Sequence, residues 1–154
     1  MPTIICSVCN RSHRIPTGKW KLVLDSEPFV CSAACVLKWL ENTRDTLLYG
    51  VGDTIKAGGV HKKQSFRTDF RSDFERRFAE WLVKNGFVFG YEEWLFPVGT
   101  TVYIPDFHVN PCAAFVETKG LWRLGQKKKF KKFRAQYPEV PILVVPWLLQ
   151  NEFK

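Results

Sequence analysis

An α/β fold is expected, in which a mixed sheet flanked by helices follows a small cysteine-rich module. Three features of the sequence point to it. Four of the five cysteines fall in the first quarter of the 154-residue chain, as Cys6-x-x-Cys9 and Cys31-x-x-x-Cys35. From Ser72 onward, an apolar stripe of helical period gives way to the period-two alternation of strands. A strongly basic helical stretch then separates two apolar, β-rich runs. A content of 45% hydrophobic and 15% aromatic residues is ample for a packed core and lies far from the composition of disordered chains.

Taken in order, residues 1–48 form the cysteine module, 49–68 a basic glycine-containing connector, and 69–154 the main domain. In the module, Val36, Leu37, Leu40, Leu47 and Leu48 recur at helical spacing with Ser32 as N-cap, so Cys31 and Cys35 flank a helix start. The connector holds Gly50, Gly52, Gly58 and Gly59, then Lys62 and Lys63. Ser72-Asp73-Phe74-Glu75 has the form of a capping box, and Phe74, Phe78, Trp81 and Leu82 give the following helix one apolar face that Asn85-Gly86 terminates. Strands are expected over 87–94, 102–109 and 113–119, the last two joined in a hairpin at Asn110-Pro111. A basic helix over 124–137 and a buried strand over 141–145 complete the order.

A net charge of +8 and a pI near 9.4 imply an anionic partner, nucleic acid or an acidic membrane face. No stretch approaches the ~20 apolar residues of a membrane span, and the N-terminus lacks a charged segment followed by an apolar run. A soluble, cytoplasmic protein in a reducing compartment is therefore expected, and the cysteines read as metal ligands rather than disulfides. Cys6, Cys9, Cys31 and Cys35 supply four thiolates in two close pairs, which suits tetrahedral Zn²⁺ in a treble-clef-like module. With all four positions filled by protein, that zinc is structural, and it offsets the small core of so short a segment. His13 is near enough in sequence to replace one cysteine. Such modules bind DNA, RNA or protein, so its partner stays open.

The chemistry is expected downstream. Glu117 and Lys119 lie two apart on a strand, so they project to one face while Thr118 turns away, and Asp106 can reach Glu117 across the hairpin. Two carboxylates on one face repel unless a cation lies between them, and hard oxygen ligands suit Mg²⁺ or Mn²⁺. A surface ion pair on a hairpin would explain the same residues without catalysis. Lys127, Lys128, Lys129, Lys131 and Lys132 cluster on the helix after that strand, with Phe130 and Phe133 as anchors. They are candidates, with Arg71, Lys62 and Lys63, for binding a DNA backbone. Trp94 and Trp122 read as core residues or as stacking platforms, and Cys112 as an inert thiol.

Ile104-Pro105-Asp106-Phe107 followed by Val116-Glu117-Thr118-Lys119 has the form PD…(D/E)xK and resembles the nuclease superfamily of that name. The longer series runs from Phe70-Arg71-Ser72 through Glu75, Tyr91-Glu92-Glu93-Trp94 and Tyr103-x-Pro105-Asp106-Phe107 to Phe115-Val116-Glu117-Thr118-Lys119-Gly120-Leu121-Trp122. It resembles the phage endonuclease I family of junction-resolving enzymes over residues 70–145. The resemblance implies a restriction-endonuclease-like core and a Mg²⁺-dependent endodeoxyribonuclease with Glu75, Asp106, Glu117 and Lys119 as catalytic residues. It also implies Glu75, Asp106, Glu117 and the Thr118 backbone carbonyl as metal ligands, and branched or distorted duplex DNA as partner. Residues 95–102 are shorter than the family's crossing between subunits. Glu75 is therefore expected to meet Asp106 within one chain, which puts a homodimer in doubt. Two further readings stay open: a sequence-directed nicking or homing endonuclease that docks through its zinc module, and a non-catalytic nucleic-acid-binding zinc protein.

Overall fold

The computed structural model describes residues 3–18, 29–45, 61–62, 69–110, 114–119 and 123–153. Strands β1 (Thr3–Ile5) and β2 (Ser12–Arg14) pair antiparallel, with Ile4 opposite His13. Helix α1 (Ala33–Asp45) starts where the sequence places it: the Ser32 hydroxyl accepts from the Cys35 amide at 3.2 Å. Leu47 and Leu48 lie outside the described residues, as does most of the expected connector. Within that connector the short strand β3 (His61–Lys62) pairs antiparallel with β5 (Trp94–Val98).

The main sheet has the order β4-β7-β8-β9, formed by β4 (Val88–Tyr91), β7 (Phe107–Asn110), β8 (Ala114–Lys119) and β9 (Ile142–Pro146). The first three strands are antiparallel and β9 runs parallel to β8, so the sheet is mixed, as expected. Side-chain alternation along β8 and β9 splits the core in two. Ala114, Val116, Leu143 and Val145 face one way, toward helix α2 (Asp73–Lys84) and the cysteine module; Phe115, Ile142 and Val144 face the other. There they meet helix α3 (Leu124–Gln136), through Phe130 and Phe133, and the hairpin of β5 with β6 (Thr101–Tyr103).

Helix α2 buries Phe74, Phe78, Trp81 and Leu82, the stripe that its 3.6-residue period marks out. Its end is a Schellman motif: the Phe87 amide reaches the Leu82 carbonyl at 2.9 Å, the Gly86 amide reaches Val83 at 3.0 Å, and Gly86 has φ +82°. The chain then closes over this helix. A 3-10 helix (Trp147–Glu152) leads to Phe153, fully buried between Phe78 and Trp81. Val30, Val36 and Leu40 of the cysteine module belong to the same apolar cluster, and the Ala33 amide donates to Glu152.

Two expected strands are each broken, for one shared reason. The run over 87–94 divides into β4 and β5 at Glu92, which has φ +48°, and the run over 102–109 divides into β6 and β7 at Ile104-Pro105-Asp106. Pro105 has no amide proton to offer a ladder. The Asp106 amide goes to the Glu117 carboxylate at 3.3 Å, and its carbonyl takes the Glu92 amide at 2.8 Å. The Asp106 amide thus serves a side chain, and the Glu92 amide a single backbone carbonyl, rather than a continued ladder. Residues 95–102 do not extend away from the domain. They fold back as the β5–β6 hairpin, with Phe96 opposite Tyr103 and Gly99 at φ +58° at the first loop position.

Candidate active site

Strands β7 and β8 are antiparallel, with Phe107 opposite Val116, so the residue before β7 and the end of β8 meet at one edge of the sheet. Asp106, Glu117 and Lys119 therefore converge. Glu75 joins them from the first turn of α2, inside the same chain, and all four line a cavity of about 450 Å³. Arg71, Glu92, Tyr103, Gln126 and Lys129 complete much of its wall.

Each acidic group is held by named donors. The Asp106 carboxylate accepts from the Thr118 amide at 2.8 Å and from its hydroxyl at 2.9 Å, both on Oδ2. Glu117 Oε2 accepts from the Tyr103 hydroxyl at 2.5 Å and from the Asp106 amide, while Oε1 lies 3.3 Å from Lys119 Nζ. Glu75 Oε2 accepts from the Tyr91 hydroxyl and from the Arg71 amide at 3.2 Å. The capping box is thus only half closed. Ser72 caps the Glu75 amide at 3.2 Å, but the Glu75 carboxylate is turned into the cavity instead of back to Ser72. Thr118 departs from expectation. It lies on the opposite side of β8 from Glu117, yet it does not turn away from the site, because Asp106 sits at the sheet edge where both of its donors reach.

Burial and charge act together on these groups. Asp106 and Glu117 are almost wholly buried. Burial pushes the Asp106 carboxyl well above its ordinary value, and the neighbouring charges of Glu117 and Glu75 push it further. Burial also raises Glu117, partly opposed by the Lys119 charge and the Tyr103 hydrogen bond. Tyr103 is itself raised well above its ordinary value by burial and by Glu117, so it stays a donor. The site crowds negative charge where solvent cannot screen it, and a cation entering the cavity would relieve the repulsion.

Sequence reasoning quoted Tyr91, Glu92 and Tyr103 inside longer motifs without giving them a place in the site. Glu92 is buried, in a left-handed backbone conformation, and takes the Arg71 guanidinium at 2.6 Å. The signal for it lay in the run Tyr91-Glu92-Glu93, where two acids interrupt a strand pattern; Tyr103 gave none beyond standing three residues before Asp106. Among the expected backbone-binding residues, Arg71 and Lys129 line this cavity. Lys128 and Lys132 lie in a neighbouring one, whereas Lys127 and Lys131 line neither. Lys62 lies in β3; Lys63, Cys112 and Trp122 fall outside the described residues. Trp94 packs against His108 and the apolar cluster under α3.

In the cysteine module, the four sulfurs all lie within 4.8 Å of one another. Cys9–Cys31 and Cys31–Cys35 Sγ separations are 3.7 and 3.6 Å, far beyond a disulfide bond. They approximate the ~3.8 Å edge of a tetrahedron with metal–sulfur bonds of about 2.3 Å. Burial works to raise the Cys6 thiol, but the backbone amides of Cys9, Val8 and Cys31 outweigh it and bring it to about 6. Cys31 is pushed up to about 12 by burial and by its cysteine neighbours. His13 is not part of the cluster; its ring packs edge-on against Phe29.

The sequence matches the phage endonuclease I family over residues 56–147, more than half of the chain. The chain belongs to the phage endonuclease I family. The matched span holds all four converging residues, begins inside the stretch read as a connector, and leaves the cysteine module outside. Among individual relatives, the chain is similar to endonuclease I of Escherichia phage T7, 41% identical over 80 residues that cover 49% of this chain and 53% of that protein. It is likewise similar to endodeoxyribonuclease 1 of Enterobacteria phage T3, 39% identical over 80 residues covering 49% and 52%. The chain thus spans about half the length of the curated relatives it matches. No solved structure matches it.

Proposed function

We propose that this member of the phage endonuclease I family is a divalent-metal-dependent DNA endonuclease with a PD-(D/E)xK core. One observation carries the reading: four buried carboxylates, those of Glu75, Glu92, Asp106 and Glu117, line a single cavity with Lys119 within one chain. Neutral packing would not assemble such a set, because each added carboxylate raises the cost of the others. The names of the relatives, both endonucleases, supply the substrate class.

Asp106 and Glu117 would hold Mg²⁺ or Mn²⁺, with Glu75 and the Thr118 carbonyl as the remaining protein ligands. Such an ion, when bound, lowers the pKa of a coordinated water and polarises a phosphoryl oxygen. The other tasks fall to the chain. Thr118 fixes the rotamer of Asp106 through two donors on one oxygen, and Tyr103 fixes Glu117, leaving their other oxygens for the cavity. Lys119, partly shielded beside Glu117, offsets negative charge on the pentacoordinate phosphorane and, as a donor, can orient the attacking water. Arg71, held by Glu92 at the mouth, meets the incoming phosphodiester.

The four-cysteine cluster would bind one structural Zn²⁺, since four thiolates at tetrahedral spacing leave no open position. The proposed substrate is branched or distorted duplex DNA in the reducing cytoplasm of an infected bacterium. Because Glu75 reaches Asp106 within one chain and residues 95–102 form a hairpin, a single copy suffices to complete one site.

Purified protein is incubated with supercoiled plasmid and with a four-way junction, with and without added Mg²⁺, beside Glu117→Ala and Lys119→Ala. Mg²⁺-dependent cleavage that both substitutions abolish is expected. Equal behaviour of wild type and variants would reject the proposal.

A further inference from the structure

A second cavity, of about 570 Å³, opens next to the acidic one. Among the described residues its charged lining is Arg123, Lys128, Lys129 and Lys132, with no carboxylate. Thr101, Gln126 and Lys129 line both cavities, so the two are contiguous. Helix geometry explains why only some of the lysines take part. At about 100° per residue, Phe130 and Phe133 fix the buried side of α3, and Lys128, Lys129 and Lys132 fall on one flank. Lys127 and Lys131, four residues apart, fall on the other. The Arg123 N-cap makes no side-chain capping bond, so the first turn of this 13-residue helix adds amide donors to the same end.

We propose that this cationic cavity holds the DNA phosphodiester next to the scissile one, with Arg123, Lys128 and Lys132 as its binding residues and Lys129 at the junction of the two sites. The proposal rests on the nuclease reading for the adjective "scissile", while the binding pocket stands by itself. Opposite charges in adjoining cavities suit one strand. The acidic cavity takes a phosphate only with a cation, whereas its neighbour takes one directly, so the backbone is gripped one linkage away from the bond that breaks. That grip fixes the register of the reacting phosphate. It also gives the basic helix a specific task, distinct from general attraction to polyanions.

The test is a scan of single neutral methylphosphonate linkages through one strand of a four-way junction. Binding is measured without added Mg²⁺ so that cleavage plays no part, and zinc remains bound. One linkage is expected to lower the slope of log K against log salt concentration by about 1 for the wild type. For Arg123→Ala/Lys132→Ala, the same linkage should cause no further fall. For Lys131→Ala, it should cause the full fall in addition to that variant's own. If no linkage behaves this way, or if the double variant's loss simply adds to every linkage, the pocket is refuted. Adding Mg²⁺ to the same complexes separates the two readings. Cleavage without the coupling removes the pocket and keeps the nuclease; the coupling without cleavage does the reverse.

Discussion

Replacing Tyr103 by Phe removes one oxygen from the site and leaves everything else in place. The ring stacks on Phe133 at 4.5 Å between centroids and packs near Phe130, so no cavity forms and the fold persists. What is lost is the 2.5 Å hydrogen bond to Glu117 Oε2. A hydrogen bond to a charged group contributes about 1.5–3 kcal/mol, and about 1.4 kcal/mol is a factor of ten. The variant should therefore bind Mg²⁺ about 10–100-fold more weakly, because the ionised Glu117 that the metal requires loses a donor. The sign in pH follows from the same bond. Burial raises Glu117 and the Tyr103 bond opposes it; without that bond the carboxyl rises further, and the acid limb of the rate profile moves to higher pH. The assay is the initial rate of junction cleavage across a Mg²⁺ titration and a pH series, with melting curves as the folding control. Wild-type rates at every Mg²⁺ concentration and pH, in a folded variant, would refute the assignment of Glu117 as a metal ligand.

Without added magnesium, stability should fall as pH rises. Asp106 and Glu117 have raised values when folded, so the native state binds their protons more tightly, and this stabilisation is complete in acid and lost as pH climbs through the folded values. Added Mg²⁺ should raise Tm more as pH rises, because it competes with the protons that the raised carboxyls hold in acid; a gain independent of pH, read by calorimetry, would contradict the buried-carboxylate account. A zinc-selective chelator should abolish cooperative melting of the whole chain, since Val30, Val36 and Leu40 share the core of α2. Loss of the N-terminal signals alone, followed by NMR, would show the module to be independent. Phe153→Ala should cost about 3–5 kcal/mol in denaturant unfolding, given its full burial among Phe74, Phe78 and Trp81. A cost below about 1 kcal/mol would mean that the C-terminal turn is not a structural part of the core.

Much of the fold can be read from local signals because each has a local cause. Ser32 and Ser72 cap their helices through hydroxyls three residues from the amides they accept. Gly86 ends α2 because it tolerates positive φ, and Phe130 and Phe133 anchor α3 by spacing alone. The misplaced elements share a non-local cause. Strands 87–94 and 102–109 look continuous in sequence, but the amides and carbonyls at Glu92 and Asp106 are claimed by each other and by Glu117. Phe153 likewise carries no periodic signal, since its partners lie on a helix about seventy residues earlier in the chain.

For the site, residue type and spacing alone determined which groups carry charge and which pairs share a strand or a tight turn: Glu117 with Lys119, and Cys6 with Cys9. Those relations depend only on the repeat of the backbone. Tertiary structure decided the rest: that Glu75 enters the cavity instead of closing its own capping box, that Tyr103 and Glu92 belong to the site, and which flank of α3 borders the acidic cavity. It also decided that the cysteine module shares the core of the domain. Hydrogen-bond satisfaction and burial depend on what packs opposite a residue, and no local pattern encodes the opposite wall.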